Sequence, residues 1–190
     1  MTGGVEGTDE ARGATLADKQ RGVVAGAGSA MVISLAVGIM AVLYDPFGPL
    51  SGALDARLQL AATASLPVVL SLLVTVGWIA NTRFFHIEDI DAAAGPVEGE
   101  HMRRLKAILA NSFEQGVLAL ATYWAAAVLL PAWLLDGIVF AAASFPVGRI
   151  LFASGYRKGA GGRALGFELT LAPTVLLLVA TVCFAASRLW

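Results

Sequence analysis

The sequence predicts an all-α integral membrane bundle of about five transmembrane helices, and three observations carry that expectation. Of 190 residues, 57% are hydrophobic and only 14% are charged, against roughly 45–50% and about 25% in soluble domains. The mean hydropathy is +0.75, so a soluble globule would lack the polar surface to cover itself. Residues 22–44 contain no Asp, Glu, Lys, Arg or His, and about 20 such residues span a bilayer core. No segment shows strand-like alternation, and inside lipid the backbone satisfies its own hydrogen bonds as helix. A net charge of −1 argues against a nucleic-acid partner, which requires a basic footprint.

Residues 1–21 are Gly-rich and mixed in charge, without apolar periodicity, and read as a disordered tail. The apolar run after it, 22–44, is expected to be retained as a helix. The polar lead is long for a signal peptide, and no small-residue cleavage pattern closes the run. Asp45-Pro46-Phe47-Gly48-Pro49 then forms a Pro/Gly turn. A second helix is expected from about Ala56 to Phe85, followed by an acidic loop with a Gly-Pro break. A third runs from near Glu100 to Leu130, where Pro131 ends it. The fourth covers about residues 134–156, the segment 157–162 (RKGAGG) makes a turn, and the fifth covers residues 163–189.

The basic residues test this organisation independently. Arg12, Lys19, Arg21, Arg83, Arg103, Arg104, Lys106, Arg149, Arg157, Lys158 and Arg163 fall on one side of the expected membrane, and only Arg57 and Arg188 on the other. That asymmetry is a positive-inside bias, and it arises only if all five segments cross. It places the N-terminus in the cytoplasm and the C-terminus on the opposite side. Ten Arg against three Lys, in an Ala-rich chain, points to a bacterial inner membrane.

Ionisable residues at membrane depth are costly and mark functional candidates. Helix three carries Arg104, Asn111 and Glu114 at spacings that place them on one face, with Gln115 beside them. Such a stripe meets either a buried structural hydrogen bond between helices or a cleft for a polar ligand. Arg149 and Tyr156 repeat the seven-residue spacing on helix four, with Phe152 between them. Arg149 there snorkels, pairs with Glu114 or faces a ligand. Arg163 opens helix five, where the helix dipole favours an anion, and Glu168 follows as a possible ion-pair partner that holds an Arg in place. The sequence has no P-loop, HExxH or GxSxG motif. His86 and His101 read as solvated loop residues rather than a metal site, and the single cysteine, Cys183, reads as helix packing.

Three segments together resemble the MAPEG family, the membrane-associated proteins in eicosanoid and glutathione metabolism. They are Arg104-Leu-Lys-Ala-Ile-Leu-Ala-Asn111-Ser-Phe-Glu114-Gln115, Gly148-Arg149-Ile-Leu-Phe-Ala-Ser-Gly155-Tyr156 and Arg163-Ala-Leu-Gly166-Phe. The resemblance covers residues 56–190, a four-helix membrane domain, and leaves 22–44 as an extra N-terminal transmembrane helix. It implies a homotrimer that binds glutathione as co-substrate between subunits, near the cytoplasmic membrane face, and transfers it to hydrophobic electrophiles. Asn111 and Glu114 would hold the glutathione backbone, with Glu114 meeting its amino group. Arg149, Tyr156 and Arg104 would contact the ligand or brace the site, and Arg163 would stabilise the thiolate. The chain departs from the eicosanoid-synthesising branch at Ala107, Phe152 and Gln115, where that branch has Arg, Tyr and an aromatic residue. The resemblance therefore points to a glutathione- or thiol-dependent transferase or peroxidase outside eicosanoid synthesis. The alternative is a non-catalytic membrane protein that retains the fold.

Overall fold

A computed structural model describes residues 16–44, 50, 52–85 and 99–188. It contains five long helices: α1 (Leu16–Tyr44), α2 (Leu54–Phe85), α3 (Glu100–Leu129), α4 (Asp136–Gly155) and α5 (Gly159–Ser187). Single 3₁₀ turns at Ala132–Leu134 and Tyr156–Lys158 precede α4 and α5. The expected bundle of one N-terminal helix and a four-helix unit is what forms. Among the described residues, three stretches are long and apolar enough to cross a membrane: Leu16–Tyr44, Leu54–Phe85 and Ala132–Ser187, the last comprising α4 and α5. The remaining helix, α3, is the amphipathic one, because Asn111, Glu114 and Gln115 interrupt its apolar run.

Two boundaries differ from expectation. α1 begins at Leu16, so residues 16–21 belong to the helix and not to the tail. Leu, Ala, Lys, Gln and Arg in that stretch are good helix formers, and Asp18 in the first turn complements the helix dipole. α5 begins at Gly159 rather than Arg163. The turn is shortened to Tyr156–Lys158, and the reversal is made at Gly159, whose φ of 79° suits a residue without Cβ. The rest of the expected tail, the 45–49 turn and the acidic loop with His86 lie outside the described residues. His101 lies in α3, edge-on to Trp78 at 6.4 Å.

The closest helix pair is α4 and α5, and glycines explain it. A Cβ at Gly148 would strike the Thr170 hydroxyl, one at Gly155 the Gly162 carbonyl, and one at Gly166 the Phe152 backbone. Small residues let two backbones meet in lipid, where apolar contact between helices brings no hydrophobic gain. The half of the four-helix unit nearest the Ala132–Leu134 turn is an apolar core of Ala61, Ala64, Val68, Ala119, Tyr123, Ala126, Ile138, Phe145 and Leu177, among others. Arg57 closes that end. Its Nη1 donates to the carbonyls of Ala127 (3.0 Å) and Leu130 (2.6 Å), which the end of α3 leaves without helical partners. Large side chains such as Leu66, Leu73, Val74, Ile150 and Val182 stand exposed on the outside, as a lipid-facing surface requires.

Candidate functional site

The half of the bundle nearest the Tyr156–Lys158 turn is built around Arg149. Gly148, the residue before it, brings α4 against α5, so the Arg149 side chain projects between α3 and α5 and is only 6% exposed. Its Nη1 donates to Asn111 Oδ1 at 2.8 Å and its Nη2 to Gln115 Oε1 at 3.0 Å, both on α3. Nε and Nη2 both donate to Thr170 Oγ1 on α5, at 3.1 and 2.9 Å. Ser112 Oγ and the Gly166 carbonyl stand farther off, at 3.5 Å each. The Thr170 hydroxyl is free to accept from Arg149 because it donates its own proton to Gly166 O (3.0 Å). The guanidinium also stacks on the Phe152 ring, 4.7 Å from its centroid.

Every acceptor of this cation is neutral. Among the described residues the ion pair between side chains is Arg104–Glu100, at 2.9 Å, one turn apart at the start of α3. Arg149 neither snorkels nor pairs with Glu114, because Glu114 is on the wrong side of α3. At about 100° per residue, Glu114 lies roughly 160° around the helix from Ser112, which is buried against α4. Asn111 and Gln115 fall on the buried side, whereas Glu114 is exposed beside Phe113, Val117 and Leu118. Arg104, Asn111 and Glu114 keep the shared arc their spacing gives, with Asn111 in the cluster, Arg104 paired with Glu100 and Glu114 at the exposed edge of that arc.

Arg163 and Tyr156 form a second group. The Arg163 guanidinium lies over the Tyr156 ring at 4.7 Å, and Tyr156 meets Phe152 edge-on at 5.6 Å. Phe152 therefore links the two arginines, since it contacts both the Arg149 guanidinium and Tyr156, the ring under Arg163. The expected pairing of Glu168 with an arginine is not made. It follows Arg163 by five positions, about 140° around α5, and among the described residues its carboxylate makes no ion pair.

The sequence profile of the MAPEG family matches residues 60–183. This chain belongs to the MAPEG family. No curated protein and no solved structure matches the chain. The matched region runs from within α2 to within α5, so all the candidate site residues belong to the MAPEG unit and α1 stands outside it.

Beside Arg149 the MAPEG unit carries a cleft of about 620 Å³ between α2 and α4, with α3 as its floor. Its walls include Pro67, Leu70, Val74, Trp78 and Ile150, and its polar elements are Ser71, Thr75, Ser112, Ser154 and Arg149. Neither Thr170 nor the cleft walls are identifiable from the sequence as site residues. Thr170 is one threonine within an apolar run, and its only signal is its place seven residues after Arg163. The wall residues are ordinary lipid-compatible side chains, and only the divergence of α2 from α4 makes them a pocket.

Proposed function

We propose that this MAPEG protein is a thiol-dependent transferase or peroxidase, with glutathione as co-substrate and hydrophobic electrophiles as acceptors. The observation that carries this reading is the buried, carboxylate-free Arg149 at the edge of a large apolar cleft. Such a cleft suits an apolar molecule, and an uncompensated cation beside it favours an electron-rich or anionic group. Arg163 is the thiolate-stabilising residue. A guanidinium beside a thiol favours its ionised form, and stacking on Tyr156 orients Arg163. In transfer to a haloarene, the thiol proton goes to water, a sulfur–carbon bond forms, and the halide leaves with the bonding pair. In the peroxidase variant, two thiols are oxidised to a disulfide while one hydroperoxide is reduced to an alcohol and water. Asn111 and Arg149 brace the site, and Arg104 anchors the start of α3.

Glu114 supports a homotrimer. A carboxylate on the exposed apolar face of α3 is costly in lipid and is satisfied by polar groups of a neighbouring copy. The N-terminus and the inner ends of α2–α5 are assigned to the cytoplasm, in a bacterial inner membrane.

The test uses purified full-length protein in detergent. Millimolar glutathione should raise the melting temperature, and 1-chloro-2,4-dinitrobenzene should be conjugated. Arg163→Ala should abolish conjugation or move its pH–rate midpoint upward, because the thiol then ionises without a neighbouring cation. If wild type shows neither stabilisation nor conjugation, the thiol reading is abandoned. A non-catalytic binding or structural role is then the better account. One observation favours it: the strongest donors of Arg149 are already engaged by Asn111, Gln115 and Thr170.

A further inference from the structure

Helix α1 lies outside the MAPEG match, yet small residues dock it on α5. A Cβ at Gly22 would lie 3.3 Å from Gly161 Cα, and one at Gly26 would lie 2.9 Å from Ala164 Cβ. The contacts advance in the same chain direction on both helices, so α1 and α5 run parallel and begin at one end of the bundle. α1 starts six residues before Gly22, and α5 only two before Gly161. The first turns of α1 therefore stand beside the Tyr156–Lys158 turn. Residues 16–22 carry Lys19 and Arg21, and residues 156–162 carry Arg157 and Lys158, against one acid, Asp18. All four cations are exposed and make no salt bridge among the described residues. Arg163 is set apart from them, over the Tyr156 ring.

We propose that this corner binds the phosphodiester headgroup of an anionic phospholipid, held by Lys19 and Arg21 of α1 and by Arg157 and Lys158 of the turn. The backbone contact between Gly22 and Gly161 gathers four like charges, which repel one another unless an anion stands among them. Around α1, Lys19 lies about 60° to one side of Gly22 and Arg21 about 100° to the other, so the cations surround the contact instead of lining one face. Depth selects a lipid as the anion. The charge-free run of α1 begins at Gly22, which puts these side chains at its polar edge, the level of lipid phosphates. Val23 and Val24, the next residues, are exposed and apolar. An anion bound here meets apolar surface on its membrane side, which fits an acyl-linked phosphate better than a hydrated free one. Basic side chains gathered between transmembrane helices are a recurring basis for headgroup binding. α1 thus adds half of a lipid site to the MAPEG unit, and lipid capture there is independent of the thiol chemistry of Arg163.

The test titrates full-length protein in neutral detergent with dioleoyl phosphatidylglycerol or dioleoyl phosphatidylcholine, and counts bound lipids by native mass spectrometry. Phosphatidylglycerol should bind more tightly. Each of Lys19→Gln, Arg21→Gln, Arg157→Gln and Lys158→Gln should weaken it by about fivefold, the factor for one basic residue near an anionic headgroup. Arg103→Gln removes an exposed cation from the start of α3 and should leave binding unchanged. Gly22→Leu keeps every charge but forces α1 away from Gly161, and should weaken phosphatidylglycerol as much as losing Lys19 and Arg21 together. Melting temperatures without lipid identify any variant that is unfolded, and the four charge variants decide the matter if Gly22→Leu is one. Inorganic phosphate at the same concentration should not displace the lipid; if it does, the anion is a free phosphate and the lipid assignment is overturned. It is overturned too if phosphatidylglycerol binds no more tightly than phosphatidylcholine, an acidic protein segment then being the better counterion. Equal weakening by Arg103→Gln would show general surface charge in place of a site, and would also overturn it.

Discussion

Replacing Arg149 by methionine and by lysine separates its charge from its hydrogen bonds. Arg149 is 6% exposed, and its partners Asn111, Gln115 and Thr170 are all neutral. Methionine removes donors and charge together. The Asn111 and Gln115 carbonyl oxygens then lose their partner, at about 1–3 kcal/mol each. Against that, removing an uncompensated buried charge relieves a penalty of roughly several kcal/mol. The two nearly offset, and the net loss should stay below about 2 kcal/mol. Lysine keeps the charge buried but presents three N–H donors where arginine presents five in a fixed fork. Losing two of the four short bonds at about 1.5–3 kcal/mol each, with no relief, costs roughly 3–6 kcal/mol.

Arg149→Met should therefore be more stable than Arg149→Lys by about 2 kcal/mol or more, which for a chain of this size is roughly 4–8 °C in melting temperature. Thermal unfolding of the full-length protein in detergent, followed by its tryptophan fluorescence, measures the difference. If the methionine variant melts below the lysine variant, the Arg149 charge is compensated by an anion in the native assembly, and the reasoning from an uncompensated cation is refuted.

Further outcomes follow from other parts of the bundle. Gly155→Val places a branched side chain against the Gly162 carbonyl. It should lower stability by about 1–3 kcal/mol or more through overpacking, seen as a lower melting temperature and an altered protease cleavage pattern at the α4–α5 turn. Arg57→Ala leaves the Ala127 and Leu130 carbonyls without their side-chain donor. It should cost about 2–4 kcal/mol without changing thiol selectivity, since Arg57 is at the far end of the bundle from Arg163; stability and conjugation assays on one preparation check both. Glu114→Ala should leave the melting of a single chain within about 0.5 kcal/mol, as for an exposed residue, while reducing the trimer band in cross-linking. A reporter fused at the C-terminus should be found on the non-cytoplasmic side, and a cytoplasmic signal would reverse the topology.

What the sequence determined by itself is what one-dimensional pattern encodes. Apolar length fixed the number of long helices, Pro131 and the Gly-rich segment 157–162 marked where they break, and the combination of Asn111, Glu114, Arg149, Tyr156 and Arg163 indicated MAPEG membership. These signals are local or additive, so they survive without knowledge of packing. Helix faces were only partly legible. Spacing placed Asn111 and Glu114 within one arc, but which edge of that arc is buried depends on where α4 and α5 sit, and packing turned Gln115 inward and Glu114 outward.

Only the tertiary structure decided the partners of Arg149, because Thr170 is distant in sequence and reaches it through the close approach at Gly148 and Gly166. The same holds for α1. Its sequence shows an apolar helix with small residues, and nothing in it names α5 as the surface those residues fit. The contact of Gly22 and Gly26 with Gly161 and Ala164 is what brings Lys19 and Arg21 to the level of Arg157 and Lys158. A site built by side chains from separate helices is a property of their packing, and in lipid that packing is set by backbone approach and buried polar contacts rather than by hydrophobic pattern.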